Sequence, residues 1–280
     1  MTHLPEVEVL RKDLEKELVG KRIKDASVKS AQVVPRHRNR PEFSKALAGR
    51  KIESVSRRGT WLVFELDEDS ALALSLGDQG SLTRETASEP AGKHTQAVLT
   101  FTTGGALHVH DPGKDAELVA GLREEVEALP ELTFKGIDPL AQTFTWHALG
   151  QELKARDKPL KALLVDESFV VGLGDLYSDE ILWVAGLSGT RKSSSLSSQE
   201  VRRLYRAILE VLYEAVKQGG TADAAGEADA TDLFGEEGGF GEYLKVYDRE
   251  GLPCGRCRQP IVFGKLDRKH ESFYCANCQT

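Results

Sequence analysis

Apolar residues Val7, Leu10, Leu14 and Leu18 recur three and four positions apart, a spacing that predicts an amphipathic helix starting a few residues into the chain. Pro5 suits its first turn, where a missing N–H costs nothing, and Glu6 and Glu8 favour the positive end of the helix dipole. A helix this close to the terminus holds the α-amino group in a fixed place, where it can act chemically. From about Arg22 to Leu118 the pattern turns strand-like. RIKDASVKSAQVV, KIESVSRRGTWLVFEL, ALALSLGDQGSLTRE, TQAVLTFTTGG and ALHVHD alternate apolar with polar residues between Gly and Asp turns, which predicts an antiparallel sandwich or barrel. After about residue 132 the period changes again: TWHALGQELKAR, PLKALLVD, LYSDEILWVAGL and SSQEVRRLYRAILEVLYEAVKQGG carry helical spacing. Serines before Gln199-Glu200 offer a cap for the last helix, and Gly219-Gly220 a stop.

The chain's 280 residues allow two domains or more, and a 40% hydrophobic content supports real cores. No run of about 18 apolar residues occurs, and the start is polar and acidic rather than basic and then apolar, so neither a membrane span nor a signal peptide is expected. The expected location is the cytoplasm. The net charge of −7 argues at first against a nucleic-acid partner. Its distribution reverses that inference. Thr221–Glu242 holds seven acidic residues and no Lys or Arg, and without it acidic and basic residues balance. This Gly- and Ala-rich stretch reads as a loop. From Leu244 onward seven basic residues face four acidic ones, the local balance that phosphate contact needs.

All four cysteines lie in that basic tail. Cys254-x2-Cys257, seventeen residues, then Cys275-x2-Cys278 is the spacing of a four-thiolate tetrahedral zinc site. Four protein ligands leave no open position, so one zinc ion is expected there in a structural role. Two disulfides are the alternative, disfavoured without a secretory signal. Between two predicted helices stands FVVGLGDLY, with Gly172 and Gly174. No strand–helix–strand unit surrounds it and a third glycine is lacking, so a dinucleotide site is not indicated. A tight turn whose N–H groups face phosphate and a plain packing turn both fit the pattern.

Taken together, LPEVE near the start, VVGLGDLYSDEILWVAGL in mid-chain and PCGRC with FYCANC at the end resemble the formamidopyrimidine-DNA glycosylase and endonuclease VIII family. LVGKRI, LSLGDQGSL, Lys93-His94, His110-Asp111-Pro112, LSSQE and KVYDREG extend the resemblance along the whole chain. It implies an α+β multidomain protein: an N-terminal helix plus antiparallel β-sandwich (1–131), a helix-two-turns-helix domain (132–220), an acidic flexible loop (221–243) and a C-terminal four-cysteine zinc finger (244–280). It also implies a monomer that holds damaged or abasic DNA, flips out a base, attacks the sugar with its N-terminal amine, and cleaves the strand through a Schiff base in base-excision repair.

Residue by residue, the resemblance puts the catalytic group at Thr2, His3 and Glu6, where the family usually carries proline, glutamate and glutamate. Removal of Met1 would leave a primary amine on Thr2. An α-amino group has a pKa of about 7.7–8.0, so roughly a tenth or more is free base at neutral pH. Thr60 stands where a phosphate-contacting lysine is usual; Asp78, Gly113 and Asp115 replace two apolar or aromatic wedges and an arginine. DNA contacts are expected from His94, Lys114, Lys161, Gly172, Gly174, Asp175, Arg268, Lys269 and His270, the last aligning with the family's phosphate-gripping arginine. Two further readings stand beside the enzyme: a DNA-binding protein of the same fold without the chemistry, and a zinc-ribbon protein-interaction module.

Overall fold

The computed structural model describes residues 3–133, 136–222 and 231–280. They form two compact units, one comprising residues 1–134 with 218–241, the other 135–217 with 242–280.

The first unit opens with α1 (Leu4–Leu18), its buried stripe Leu4, Val7, Leu10, Leu14 and Leu18 at the expected spacing. Strands β1 (Ile23–Val28), β2 (Ile52–Arg58), β3 (Trp61–Leu66), β4 (Ser70–Ser75), β5 (Ser81–Glu85), β6 (Thr95–Phe101), β7 (Ala106–His110) and β8 (Glu117–Leu122) follow. They build two four-stranded sheets, ordered β1-β6-β7-β5 and β2-β3-β4-β8, with every pairing antiparallel. One continuous core, with Leu10 and Leu14 from the helix, Phe64 and Leu72 from one sheet and Leu99 and Leu107 from the other, fills the space between them. Each such side chain contributes about 1.5–3 kcal/mol on leaving water.

One helix in this region departs from the strand-like reading. Residues Arg40–Leu47 form a short helix, α2, because Asn39 caps it, accepting the Glu42 N–H at 2.9 Å, and Pro41 pre-sets its first turn. Two turns with two buried residues, Phe43 and Leu47, are too short to show a period. A second short helix, α3 (Arg123–Glu127), follows β8. The acidic stretch is anchored where it is described: Leu233 is fully buried in the sandwich core and its carbonyl accepts the Arg84 N–H at 2.9 Å. Residues 223–230 lie outside the described residues.

The second unit holds α4 (Trp146–Arg156), α5 (Leu160–Leu164), α6 (Gly174–Ala185), α7 (Ser198–Lys217) and the hairpin β9 (Val262–Lys265) with β10 (Glu271–Tyr274). A capping box starts α7: the Ser197 hydroxyl accepts the Glu200 N–H, and the Glu200 carboxylate accepts the Ser197 N–H at 2.9 Å. Arg191 pairs with that carboxylate and, with the Ser197 N–H, holds it down to about 2. In contrast to amphipathic α7, helix α6 is buried almost all round, Asp179 and Glu180 included. Among the described residues no helix is long and apolar enough to cross a membrane.

Candidate active site and nucleic-acid interface

His3 sits in extended backbone at the N-cap of α1 and is half-buried. Thr2, the expected nucleophile, lies outside the described residues. Glu6, in the first helical turn, is 7% exposed, and its carboxylate accepts the Thr221 N–H at 2.8 Å. That contact pins the chain just past α7. Gly220 there has φ +86°, and a Cβ on it would meet Glu6 Cγ at 3.0 Å, so only glycine lets the backbone lie this close to the carboxylate. Residues 220–222 and 238–240 pair through the Thr221–Gly239 bridge and a Phe240 N–H to Gly220 carbonyl bond of 2.9 Å. Glu6 therefore supports the base of the acidic stretch besides facing the helix start. Glu8 is structural: it pairs with Arg57 at 3.1 Å and Arg11 at 3.0 Å.

The turns flanking β5 and β7 carry the next group. Asp111, 2% exposed, accepts N–H groups from Lys114 (2.6 Å), Asp115 (3.2 Å) and Ala116 (3.1 Å). This clasp fixes Lys114 with φ +62° and leaves its side chain exposed. Asp115 turns its carboxylate to the Asp78 N–H at 2.8 Å, tying the two turns together. His94 is exposed, and its carbonyl accepts the Asp111 N–H at 2.9 Å. The His110 imidazole bridges Thr83 and Thr95 hydroxyls, and burial, helped by nearby His108, pushes its pKa down.

In the second unit Gly172 (φ +66°) and Gly174 (φ +56°) make the turn into α6, a backbone only glycine adopts readily. The Gly172 N–H is occupied: both Glu167 carboxylate oxygens accept from it at 3.1 Å, and burial pushes the Glu167 carboxyl up. Asp175 is exposed at the start of α6, one carboxylate oxygen 3.0 Å from Lys161.

Lys161 corrects the expectation of a phosphate-steering lysine. It is 1% exposed, and its ammonium is saturated by Asp179 (2.6 Å), the Ser178 hydroxyl (2.9 Å), Asp175 (3.0 Å) and the Asp175 carbonyl (3.1 Å). An ammonium has three protons to donate, so none remains for DNA. Asp179 also accepts the Ser272 hydroxyl and the Phe273 N–H, both at 2.7 Å, while Glu180 accepts the N–H groups of Lys245, Val246 and Tyr247 at 2.8–3.0 Å. Helix α6 thus holds the hairpin through Asp179 and the start of the tail through Glu180. Sequence reasoning passed over both, although two adjacent acids inside an otherwise apolar helix, YSDEILW, are a legible signal of internal partners.

The four cysteine sulfurs lie within 4.8 Å of one another, with Cys254–Cys278 at 3.9 Å and Cys257–Cys275 at 3.4 Å. A tetrahedron of bonds of about 2.3 Å has edges of about 3.8 Å, so the cluster fits one zinc ion. The Trp183 indole N–H reaches Cys254 Sγ at 3.5 Å, and Arg256 stacks 3.9 Å over the Trp183 ring. These contacts are the outer support that orients a metal ligand. In the β9–β10 turn Asp267 accepts the Lys269 and His270 N–H groups and sits 2.8 Å from His270 Nδ1, contacts that hold its carboxyl down to about 2. Arg268 and Lys269 are exposed there.

The first unit is thus a helix-fronted pair of antiparallel sheets, and the second carries a glycine turn between helices and a four-cysteine cluster. Residues 1–117 match the formamidopyrimidine-DNA glycosylase N-terminal domain, and residues 135–225 match the H2TH domain of the same enzymes. Formamidopyrimidine-DNA glycosylase of Pelotomaculum thermopropionicum is 34% identical over 279 residues, covering 100% of this chain and 99% of its own. That of Thermus thermophilus is 36% identical, covering 100% and 98%. Among solved structures, the MutM (Fpg) protein of T. thermophilus superposes with a TM-score of 0.84 at 35% identity, covering 99% of this chain and 98% of that one. The Lactococcus lactis Fpg in complex with DNA containing an abasic site gives 0.85 at 29% identity, covering 99% of each. The chain belongs to the formamidopyrimidine-DNA glycosylase family.

Proposed function

We propose that the protein is a base-excision DNA glycosylase with AP-lyase activity, whose nucleophile is the Thr2 amine freed by removal of Met1. The free-base amine attacks the sugar C1′ as the bond to the damaged base breaks. The imine that results acidifies the C2′ proton, whose removal expels the 3′ phosphate. His3 is the proton donor nearest the helix start. Glu6 orients the opened sugar or relays a proton. The observation that carries this reading is Glu6 itself: a carboxylate 7% exposed, one turn from the N-terminus, held by the Thr221 N–H. A helix-start charge needs no such burial. Gly172, Gly174, Lys114, His94, Arg268, Lys269 and His270 serve as DNA contacts, and one zinc ion on Cys254, Cys257, Cys275 and Cys278 holds the hairpin that displays the last three.

A second reading, a damaged-DNA binder without the chemistry, is favoured by Asp78 and Asp115. Tied to each other, they put carboxylates rather than an apolar wedge on two adjacent turns. Strand incision separates the two. The enzyme cuts a duplex carrying an abasic site, and loses at least a hundredfold in rate when its N-terminal amine is acetylated. The binder retains the duplex uncut in both forms.

A further inference from the structure

We infer that the exposed N-terminal half of α7, together with the start of α4, forms a second phosphate-binding surface for DNA, apart from the glycine turn; this rests on the DNA-binding reading above. Arg202, Arg203 and Arg206 fall within about 100° of one another around the helix at 3.6 residues per turn, and all three are exposed. Among the described residues none forms an ion pair, even with Glu210 one turn beyond Arg206. Several other arginines are committed to carboxylates: Arg36 to Glu117 and Glu131, Arg123 to Glu65, Arg191 to Glu200. Nor do the three gain from the helix terminus, since the C-terminal end that favours cations is about three turns from Arg206.

Aromatic rings border the same surface. The Arg202 guanidinium lies 4.2 Å over the Trp146 ring, and Trp146 stacks on His147 with centroids 3.7 Å apart at 32°. Trp146 is half-buried and His147 exposed, so the stack fixes the direction of the Arg202 fork and leaves its donors to solvent. Planar guanidinium forks in this setting suit phosphate oxygens, and neighbouring rings offer faces to bases. Trp146 begins α4, whereas Arg156 at the other end bonds Ser168 beside the glycine turn at 3.0 Å. The ten residue steps between them span about 15 Å, the rise of four to five base pairs. A duplex held at the glycine turn must therefore extend that far to meet the arginines.

The test uses the full-length, zinc-loaded protein and fluorescence anisotropy across a salt series, with a long abasic-analogue duplex of about 30 base pairs and short ones cut back, on each side in turn, to about three base pairs from the abasic analogue. The long duplex is expected to give a steeper dependence of log K on log salt than one of the short ones, by about 2–3, since each neutralised phosphate contributes about 0.9. Arg202→Ala/Arg203→Ala/Arg206→Ala removes that difference and leaves that short duplex unaffected, whereas the triple lysine variant, which keeps the charges, retains most of it. Equal slopes on all the duplexes, or a triple alanine variant that matches the parent, would overturn the inference. So would arginine-dependent binding of a polyglutamate peptide with an unchanged DNA slope, which assigns the surface to an acidic protein. If incision persists while the slopes do not differ, only this surface fails; if no duplex is bound at all, the functional reading falls with it.

Discussion

Two buried carboxylates, Glu6 in the first unit and Asp179 in the second, show how one residue type is put to different ends. Asp179 is 1% exposed and enclosed by donors: the Lys161 ammonium, the Ser272 hydroxyl and the Phe273 N–H. All of them belong to the fold, and the carboxylate joins α6 to the tail hairpin. Glu6 is 7% exposed, stands in the first turn of α1, and holds the backbone at Thr221. A carboxylate enclosed by cation and backbone is a structural clamp. Under the function proposed above Glu6, set in the first turn of α1, has a second task beside its hold on the Thr221 N–H.

Changing each carboxylate in turn tests that contrast. Asp179→Ala leaves the buried Lys161 ammonium with the exposed Asp175 as its remaining carboxylate and the Ser272 and Phe273 donors without an acceptor, and thermal or urea unfolding is expected to show a loss of about 3 kcal/mol. Glu6→Gln keeps an acceptor for the Thr221 N–H, so stability is expected to hold within about 0.5 kcal/mol while incision of abasic DNA slows about a hundredfold or more. If Glu6→Gln unfolded the protein and spared incision, Glu6 would join Asp179 as a clamp.

Two smaller effects sharpen the picture within the second unit. Ser197→Ala removes half of the α7 capping box and costs about 1 kcal/mol in denaturant unfolding. Glu200, held down to about 2 from an ordinary 4.5, stabilises the folded state fully above pH 4.5, and that contribution is lost as the pH falls through about 2. The deficit of Ser197→Ala is therefore expected to shrink in acid. Glu167→Gln takes a negative charge off the Gly172 N–H and is expected to tighten duplex binding by about 1 kcal/mol, roughly fivefold in Kd, at low salt. Unchanged affinity there would mean that the glycine turn meets no phosphate.

Much of the fold was legible because its signals are periodic or spaced. The stripe Val7, Leu10, Leu14, Leu18, the alternating strands and the two Cys-x2-Cys pairs each repeat a geometric rule along the chain. Helix α2 escaped because eight residues with two buried anchors show no period, and only Asn39 and Pro41 announce it. The site was legible in residue types and less so in partners. Lys161 looked like a surface cation because a lone lysine in sequence does not reveal that Asp179, eighteen positions on, will face it. Glu167 on the Gly172 N–H was hidden similarly, since neither residue has a pattern that points to the other. Leu233 is one apolar residue in an acidic, glycine-rich stretch, and its burial depends on the sheet that receives it.

The central claim is that a terminal amine beside Glu6 performs the chemistry. Borohydride trapping on a duplex with an abasic site, after mass spectrometry has established the N-terminal residue, tests it directly. The account predicts a stable protein–DNA adduct, mapped to Thr2, that disappears when the amine is blocked beforehand. A free Thr2 terminus and measurable duplex binding without any adduct would contradict it and leave a DNA-binding protein built on a glycosylase fold.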